Sequence, residues 1–364
     1  MKKLQTIVAT FFILLSFSVN ADYLIVGRNA TLKAAPDGSA QIIERLSVDD
    51  VLDLIDPKKV NGYYHAQSFK TGTEGWIYQT LVRRYPGDYN DSENDIDEIP
   101  ALSLEYILPK SNPGDVVITR DGFTSCMSYS YMLPKWVAHE LSAELLQGTA
   151  KRSGSGYPKD NLFPDLKSSA YTNSGYDHGH LAPAADFKRS QLLITESNLM
   201  TNMTPQHGCM NQKAWCVLES NVRHWARQSP ESRFYVISGP ILNEFIDSLC
   251  IDNTTKVYVP NQFFKVVIEQ TSSGQVNSAA FIVPNTDVTF PDLESGRVSV
   301  DVLESITGMD VMPKLSKRQA SQIESKAFDF KLQDLTECIG RNKSCDAIYS
   351  SRTKPEDRTQ LICK

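Results

Sequence analysis

The chain has 364 residues, 41% of them apolar and 22% charged, and a formal net charge of −6. Its length is about two and a half ordinary domains, so two domains are expected, and its composition excludes a wholly disordered, collagenous or coiled-coil protein. The acidic total excludes the broad basic surface of a scaffolding nucleic-acid binder, so an anionic polymer would have to be held at a focused cationic or metal site.

Met1-Lys2-Lys3 is a short basic head, residues 7–19 (IVATFFILLSFSV) are an apolar stretch, and Val19-Asn20-Ala21 puts small side chains where a signal peptidase reads. The stretch is too short for a spanning helix. Residues 1–21 therefore read as a removable export signal, and the mature protein as periplasmic or secreted. Its removal takes Lys2 and Lys3 and leaves a still more acidic chain with no membrane span.

From residue 22 to 84, short apolar pieces alternate with turn residues. Residues 23–26, 41–43, 50–54 and 75–78 read as strands, and Pro36-Asp37-Gly38 and 70–73 as turns between them. This suggests a small β-barrel. Through Thr31-Leu32-Lys33, Leu46 before Asp49-Asp50, and the closing Gly75-Trp76-Ile77, the segment resembles a bacterial SH3 domain. Such a domain implies an aromatic groove for a peptide or cell-wall ligand. Tyr63, Tyr64 and Trp76 are the aromatics at hand, although Trp76 reads first as core. Residues 85–100 follow as a linker; within 85–98 there are six acidic residues and no basic one, a solvated, self-repelling composition.

Residues 101–315 alternate helical and strand-like patterns and read as an α+β domain with mixed or antiparallel sheet. Residues 135–146 (KWVAHELSAELL) have apolar positions at helical spacing, whereas 234–240, 263–268 and 278–284 read as buried strands. Residues 316–364 read as a helix followed by a cysteine-containing tail. All seven cysteines lie beyond the leader, so in an oxidising compartment most should pair and one is left over. Cys338 and Cys345 are close enough in sequence to close a small loop. A zinc site from His207, Cys209 and Cys216 lacks a CxxC pair, and disulfides or buried thiols are the better reading.

Polar chemistry concentrates in two segments, Tyr176-Asp177-His178-Gly179-His180-Leu181-Ala182-Pro183 and Asn202 to Gln206, the second continuing through Asn211-Gln212-Lys213-Ala214-Trp215 to Leu218-Glu219 and Arg223. A histidine in a glycine-containing turn is well placed to meet a cleft, and as neutral imidazole it takes a proton near neutral pH. Together these segments resemble the DNA/RNA non-specific endonucleases of the ββα-metal superfamily, the Serratia nuclease type. The family's Asp-Arg-Gly-His turn matches Asp177 to His180. Its Asn-x-x-Pro-Gln, Asn-Gln-x-x-Trp and Leu-Glu elements match Asn202 to Gln206, Asn211 to Trp215 and Leu218-Glu219. Ser238-Gly239-Pro240, 259–265, Val283-Pro284-Asn285 and 303–308 follow in family order, so the resemblance runs from about residue 104 to 315.

The resemblance implies a ββα-metal nuclease domain after the SH3-like barrel, with DNA and RNA as substrates. It implies His180 as general base and Asn211 as the single protein ligand of a magnesium ion, with manganese as a substitute. Glu219 would orient water at the ion. Arg152, ahead of the histidine turn, is the candidate for the phosphate oxygens. His178 stands where the family has arginine and reads as a packing or supporting substitution, the alternatives being a weakened phosphate contact or a place in a second metal site. Asp177 is expected to brace the turn through backbone N–H groups, Asn202 to support the loop, and Arg223, one helical turn after Glu219, to pair with it. The competing reading is a cell-envelope binding protein acting through its SH3-like domain, with a degenerate nuclease domain.

Overall fold

The computed structural model describes residues 22–48, 50–85, 99–152, 154, 156–252, 254–335, 338 and 343–357. The expected export signal and nearly all of the acidic linker lie outside them. Contacts divide the chain into two compact units, Met1–Asp95 and Ile96–Lys364. No helix among the described residues is long and apolar enough to cross a membrane.

The first unit is all β. Its strands are β1 (Tyr23–Val26), β2 (Ala30–Lys33), β3 (Ile42–Leu46), β4 (Val51–Val60), β5 (Tyr63–Ser68), β6 (Glu74–Tyr78) and β7 (Val82–Tyr85), in the sheet order β3-β2-β6-β5-β4-β1-β7. Leu24, Val26, Leu32, Leu46, Leu52, Leu54, Ala66 and Ile77 form its core. Along β2 and β6 burial alternates residue by residue, as a one-face-buried strand requires. Asn61 and Gly62 both take positive φ between β4 and β5, the backbone a tight hairpin demands. The terminal strands β3 and β7 do not pair with each other, so the sheet stays open where a barrel would close. Trp76 is outside the core: it is half-buried and stacks on His65 with ring centres 4.5 Å apart.

The second unit is built on an antiparallel sheet of β8 (Val116–Thr119), β9 (Thr124–Ser128), β10 (Leu133–Leu141), β13 (Arg233–Pro240), β16 (Gln262–Gln270), β17 (Val276–Pro284) and β18 (Arg297–Val298), in the order β18-β17-β16-β13-β10-β9-β8. Two smaller pairs stand apart, β11 (Tyr176–His180) with β12 (Met203–His207), and β14 (Phe245–Cys250) with β15 (Lys256–Pro260). Side chains of the central strands alternate between two cores. Phe234, Val236, Phe263 and Val267 point to one, and Tyr235, Ile237, Phe264 and Val266 to the other. Because both faces are covered, the strands read as continuous apolar runs.

Residues 135–146 are not a helix. Leu133–Leu141 is a central strand, paired with β9 on one side and β13 on the other, and Val137 and Ala138 bury into opposite cores. An apolar run buried on both faces has no two-residue period to reveal it, so helical spacing arises by coincidence.

Candidate active site

The two strands β11 and β12 pair in antiparallel register, Asp177 opposite Gln206 and His180 opposite Met203, and a helical segment starts at Gly208 directly after β12. A β-hairpin followed by a helix is therefore the local frame. Asn285 fastens β12: its Oδ1 accepts from His207 N (2.7 Å), and its Nδ2 donates to Pro205 O and Pro260 O. Gly179 is forced by close approach, since a Cβ there would stand 2.1 Å from Gln206 Cδ. The helix begins with Gly208–Met210, widens to π-helical winding over Asn211–Trp215, and continues as α-helix over Cys216–Gln228. Simple α-helical spacing from Asn211 to Glu219 thus does not hold, because the π-turn shifts the register. Trp215 is fully buried, and its Nε1 donates to His180 O at 3.2 Å, which joins helix to hairpin.

His180 is buried. Its Nε2 lies 3.1 Å from Asn198 Oδ1, and Arg152 Nη2 lies 3.0 Å from its Nδ1 and 2.8 Å from its Nε2. Asn198 Oδ1 only accepts and Arg152 Nη2 only donates, so their contacts at Nε2 call for opposite protonation; the tautomer protonated on Nε2 suits Asn198 and turns the Nδ1 lone pair to Arg152. Burial pushes the imidazole pKa down to about 3, with the Arg152 charge adding to the effect. A histidine so held is neutral and keeps a ring-nitrogen lone pair.

His178 lies between two tyrosine rings, Tyr157 and Tyr171, each 4.2 Å away centre to centre and nearly parallel to it. Its Nε2 is 2.9 Å from Ser168 Oγ, and burial pushes its pKa down to about 4. The hairpin thus carries a neutral, stacked ring at this position. Asn202 is wholly buried and bonds only within its loop: Oδ1 accepts from Ala182 N (2.9 Å), while Nδ2 donates to Ala182 O and Ser197 O (both 2.8 Å).

Asp177 does not brace the turn through backbone N–H groups. Its Oδ2 accepts from Asn211 Nδ2 (2.8 Å) and Gln212 Nε2 (3.0 Å), and its Oδ1 from Arg352 Nη1. The expectation failed because side chains from the helix and from the far end of the chain converge on this face. With Nδ2 committed to Asp177, the Asn211 amide turns its oxygen away from that carboxylate. Gln206 shares the hairpin face of Asp177, is fully buried, and has neither amide atom bonded among the described residues.

Glu219 is half-buried, and burial pushes its carboxyl pKa upward against the opposing charges of Lys265 and Arg223. Arg223 directs Nη1 to Asp186 Oδ1 (3.0 Å), an ion pair, and Nη2 to Ser220 Oγ (2.9 Å), and its charge also acts on Glu219. Asp186 also meets His139 Nε2 at 2.9 Å. Lys265 is buried with Nζ 2.6 Å from Ser238 Oγ and 4.3 Å from the Trp215 ring centre. Sequence reasoning missed Asn198, Asp186, Lys265 and Arg352. Of these Lys265 closes the matched element 259–265 and Asn198 lies four residues before Asn202; Asp186 and Arg352 carried no signal.

Cysteine pairing also differs from expectation. Cys338 and Cys345 do not close a local loop; they pair with Cys216 and Cys209, across 122 and 136 residues. Cys250 is disulfide-bonded as well, and Cys126 is the free, buried thiol. His207, Cys209 and Cys345 bring three ligand atoms within 4.8 Å of one another, but the two sulfurs are joined to each other, which removes the thiolates that zinc needs.

Residues 105–318 match the family model described as DNA/RNA non-specific endonuclease. The chain belongs to that family. A nuclease of Nostoc sp. is 32% identical over 252 residues, covering 62% of this chain and 87% of that protein. The mitochondrial nuclease EXOG of Danio rerio is 30% identical over 237 residues, covering 60% and 68%. In structure the chain is similar to one solved in an EndoG/EndoGI complex, with a TM-score of 0.54 at 23% identity, over 59% of this chain and 92% of that one. This likeness supports the α+β, ββα-metal fold. The endonuclease family match leaves the first unit outside it. This member of the family is a non-specific endonuclease.

Proposed function

We infer that the endonuclease is exported and magnesium-dependent, cutting DNA and RNA with His180 as general base. What supports the reading is the setting of His180: Asn198 Oδ1 accepts from Nε2 in the tautomer protonated there, and the Nδ1 lone pair then faces Arg152, the group placed to meet phosphate. The donor set also fits a hard divalent cation. Asn211 turns a neutral amide oxygen away from Asp177, Glu219 adds a carboxylate farther along the same helical segment within the field of Arg152, and Gln206 leaves a buried amide on the adjoining strand. Magnesium accepts few protein ligands and keeps most of its water.

When bound, the metal neutralises charge developing on the phosphate and on the departing 3′-oxygen. An entering phosphate draws the Arg152 guanidinium from the imidazole to its own non-bridging oxygens, which uncovers Nδ1. His180 then takes a proton from water, whose oxygen forms a bond to phosphorus as the bond from phosphorus to the 3′-oxygen breaks. Glu219 orients water by accepting its hydrogen bonds. His178 contributes packing through its tyrosine stack, Asp177 holds the Asn211 amide, Asn202 fixes the loop, and Arg223 anchors the helix. Contacts to phosphate rather than base edges give little sequence preference. The long-range disulfides, together with the N-terminal leader, suit an oxidising compartment.

The purified protein should therefore cleave duplex DNA, single strands and RNA when magnesium is present and stop when it is chelated. Undiminished cleavage in chelator would refute the metal assignment.

A further inference from the structure

The tail of the chain reaches back to the site. Disulfides Cys209–Cys345 and Cys216–Cys338 join it to the first turns of the helical segment that carries Asn211 and Glu219. Beyond Cys345 the Tyr349 hydroxyl accepts from Gly208 N at 2.7 Å, and Arg352 stacks over the Tyr349 ring at 4.6 Å. Gly208 leaves room for this contact, since a Cβ there would stand 2.2 Å from Arg352 Nη2. From this seat Arg352 Nη1 donates to Asp177 Oδ1, while Asp177 Oδ2 takes the amides of Asn211 and Gln212.

We propose that Arg352 is a positioning residue of the metal site: carried by the disulfide-fastened tail, it pins Asp177 so that Asn211 offers its oxygen to the cation. The proposal rests on the reading of Asn211 as metal ligand. Without Arg352 the carboxylate regains its rotation, the amide is released, and a turned amide presents N–H groups that repel a cation. Charge pushes the other way, because deleting a positive group favours cation binding. That effect is weakened by water, since the Arg352 side chain is 31% exposed. Losing ligand orientation is the larger effect, because partners behind a metal ligand are worth about 10- to 100-fold in affinity.

The test is Mn2+ affinity of the full, disulfide-intact protein without nucleic acid, read by electron paramagnetic resonance of free Mn2+. Arg352→Gln should weaken binding about tenfold despite removing a positive charge, and Arg352→Lys less so. Lys354→Ala, which only breaks an exposed tail pair with Asp346, should leave affinity unchanged. In turnover, Arg352→Gln should raise the magnesium needed for half-maximal rate more than it lowers kcat at saturating metal. Unchanged or tighter Mn2+ binding in Arg352→Gln, with Asn211→Ala losing it, overturns this proposal alone. If Asn211→Ala also keeps its affinity, the ligand assignment falls and this proposal falls with it.

Discussion

His180 is buried and Glu219 half-buried, and the loss of hydration acts on them in opposite senses. For imidazole it disfavours the cation and lowers the pKa to about 3; for the carboxyl it disfavours the anion and raises the pKa. His180 is thus neutral throughout the range of about pH 5 to 8 where an ordinary histidine titrates, and no acid limb of activity there belongs to it. Glu219 must ionise to accept hydrogen bonds from water, so activity should rise with pH through a pKa above the ordinary carboxylate range of about 4. Rate–pH profiles of the wild type and Glu219→Gln check this. The limb should vanish in the variant, and its persistence at the same pH would assign it elsewhere.

At the scale of elements, the helix Cys216–Gln228 is held by a buried ionic knot. Arg223 on the helix, Asp186 in the 3-10 turn Ala184–Phe187 after β11 and His139 on β10 meet among side chains almost closed to solvent. Burial alone would raise the Asp186 pKa, but the His139 hydrogen bond and the Arg223 charge outweigh it and hold the carboxyl ionised. Asp186→Asn should cost about 3–5 kcal/mol, because it removes the buried anion paired with the Arg223 guanidinium, and urea unfolding would show it. A loss near the 0.5 kcal/mol of an ordinary surface change would contradict the knot's role. Such knots explain what the sequence conceals. The hairpin and the helix start were legible because Asp177 to His180 and Asn202 to Trp215 are local strings. The partners Asn198, Asp186 and Arg352 were not, since chain folding alone brings them together. Residues 135–146 misled for the complementary reason, a strand covered on both faces having lost the period that would identify it.

On the scale of the molecule, each unit has its own core, and the endonuclease match lies wholly within the second. That unit is closed near its beginning: Gln270 bonds Leu102 N (2.7 Å) and Pro100 O (2.9 Å), and Tyr235 donates to Leu102 O at 2.6 Å. We therefore propose residues 22–84, 85–100 and 101–315 as domain, linker and nuclease domain, and 316–364 as a tail that the site requires. A shortened chain starting at Ile99 should retain its specific activity on naked DNA. One ending at Leu315 should not, because it lacks Cys338, Cys345 and Arg352. Equal loss from both truncations, with both proteins folded, would contradict the division.

Cleavage rate against magnesium concentration for His180→Ala and Asn211→Ala tests the central assignment most directly. His180→Ala should lose roughly a hundred- to ten-thousand-fold in turnover, the usual worth of a general base, and excess magnesium should not restore it. Asn211→Ala should lose turnover through weakened metal binding and recover part of it as magnesium rises. Rescue of the histidine variant by metal, with none for the asparagine variant, would contradict the account.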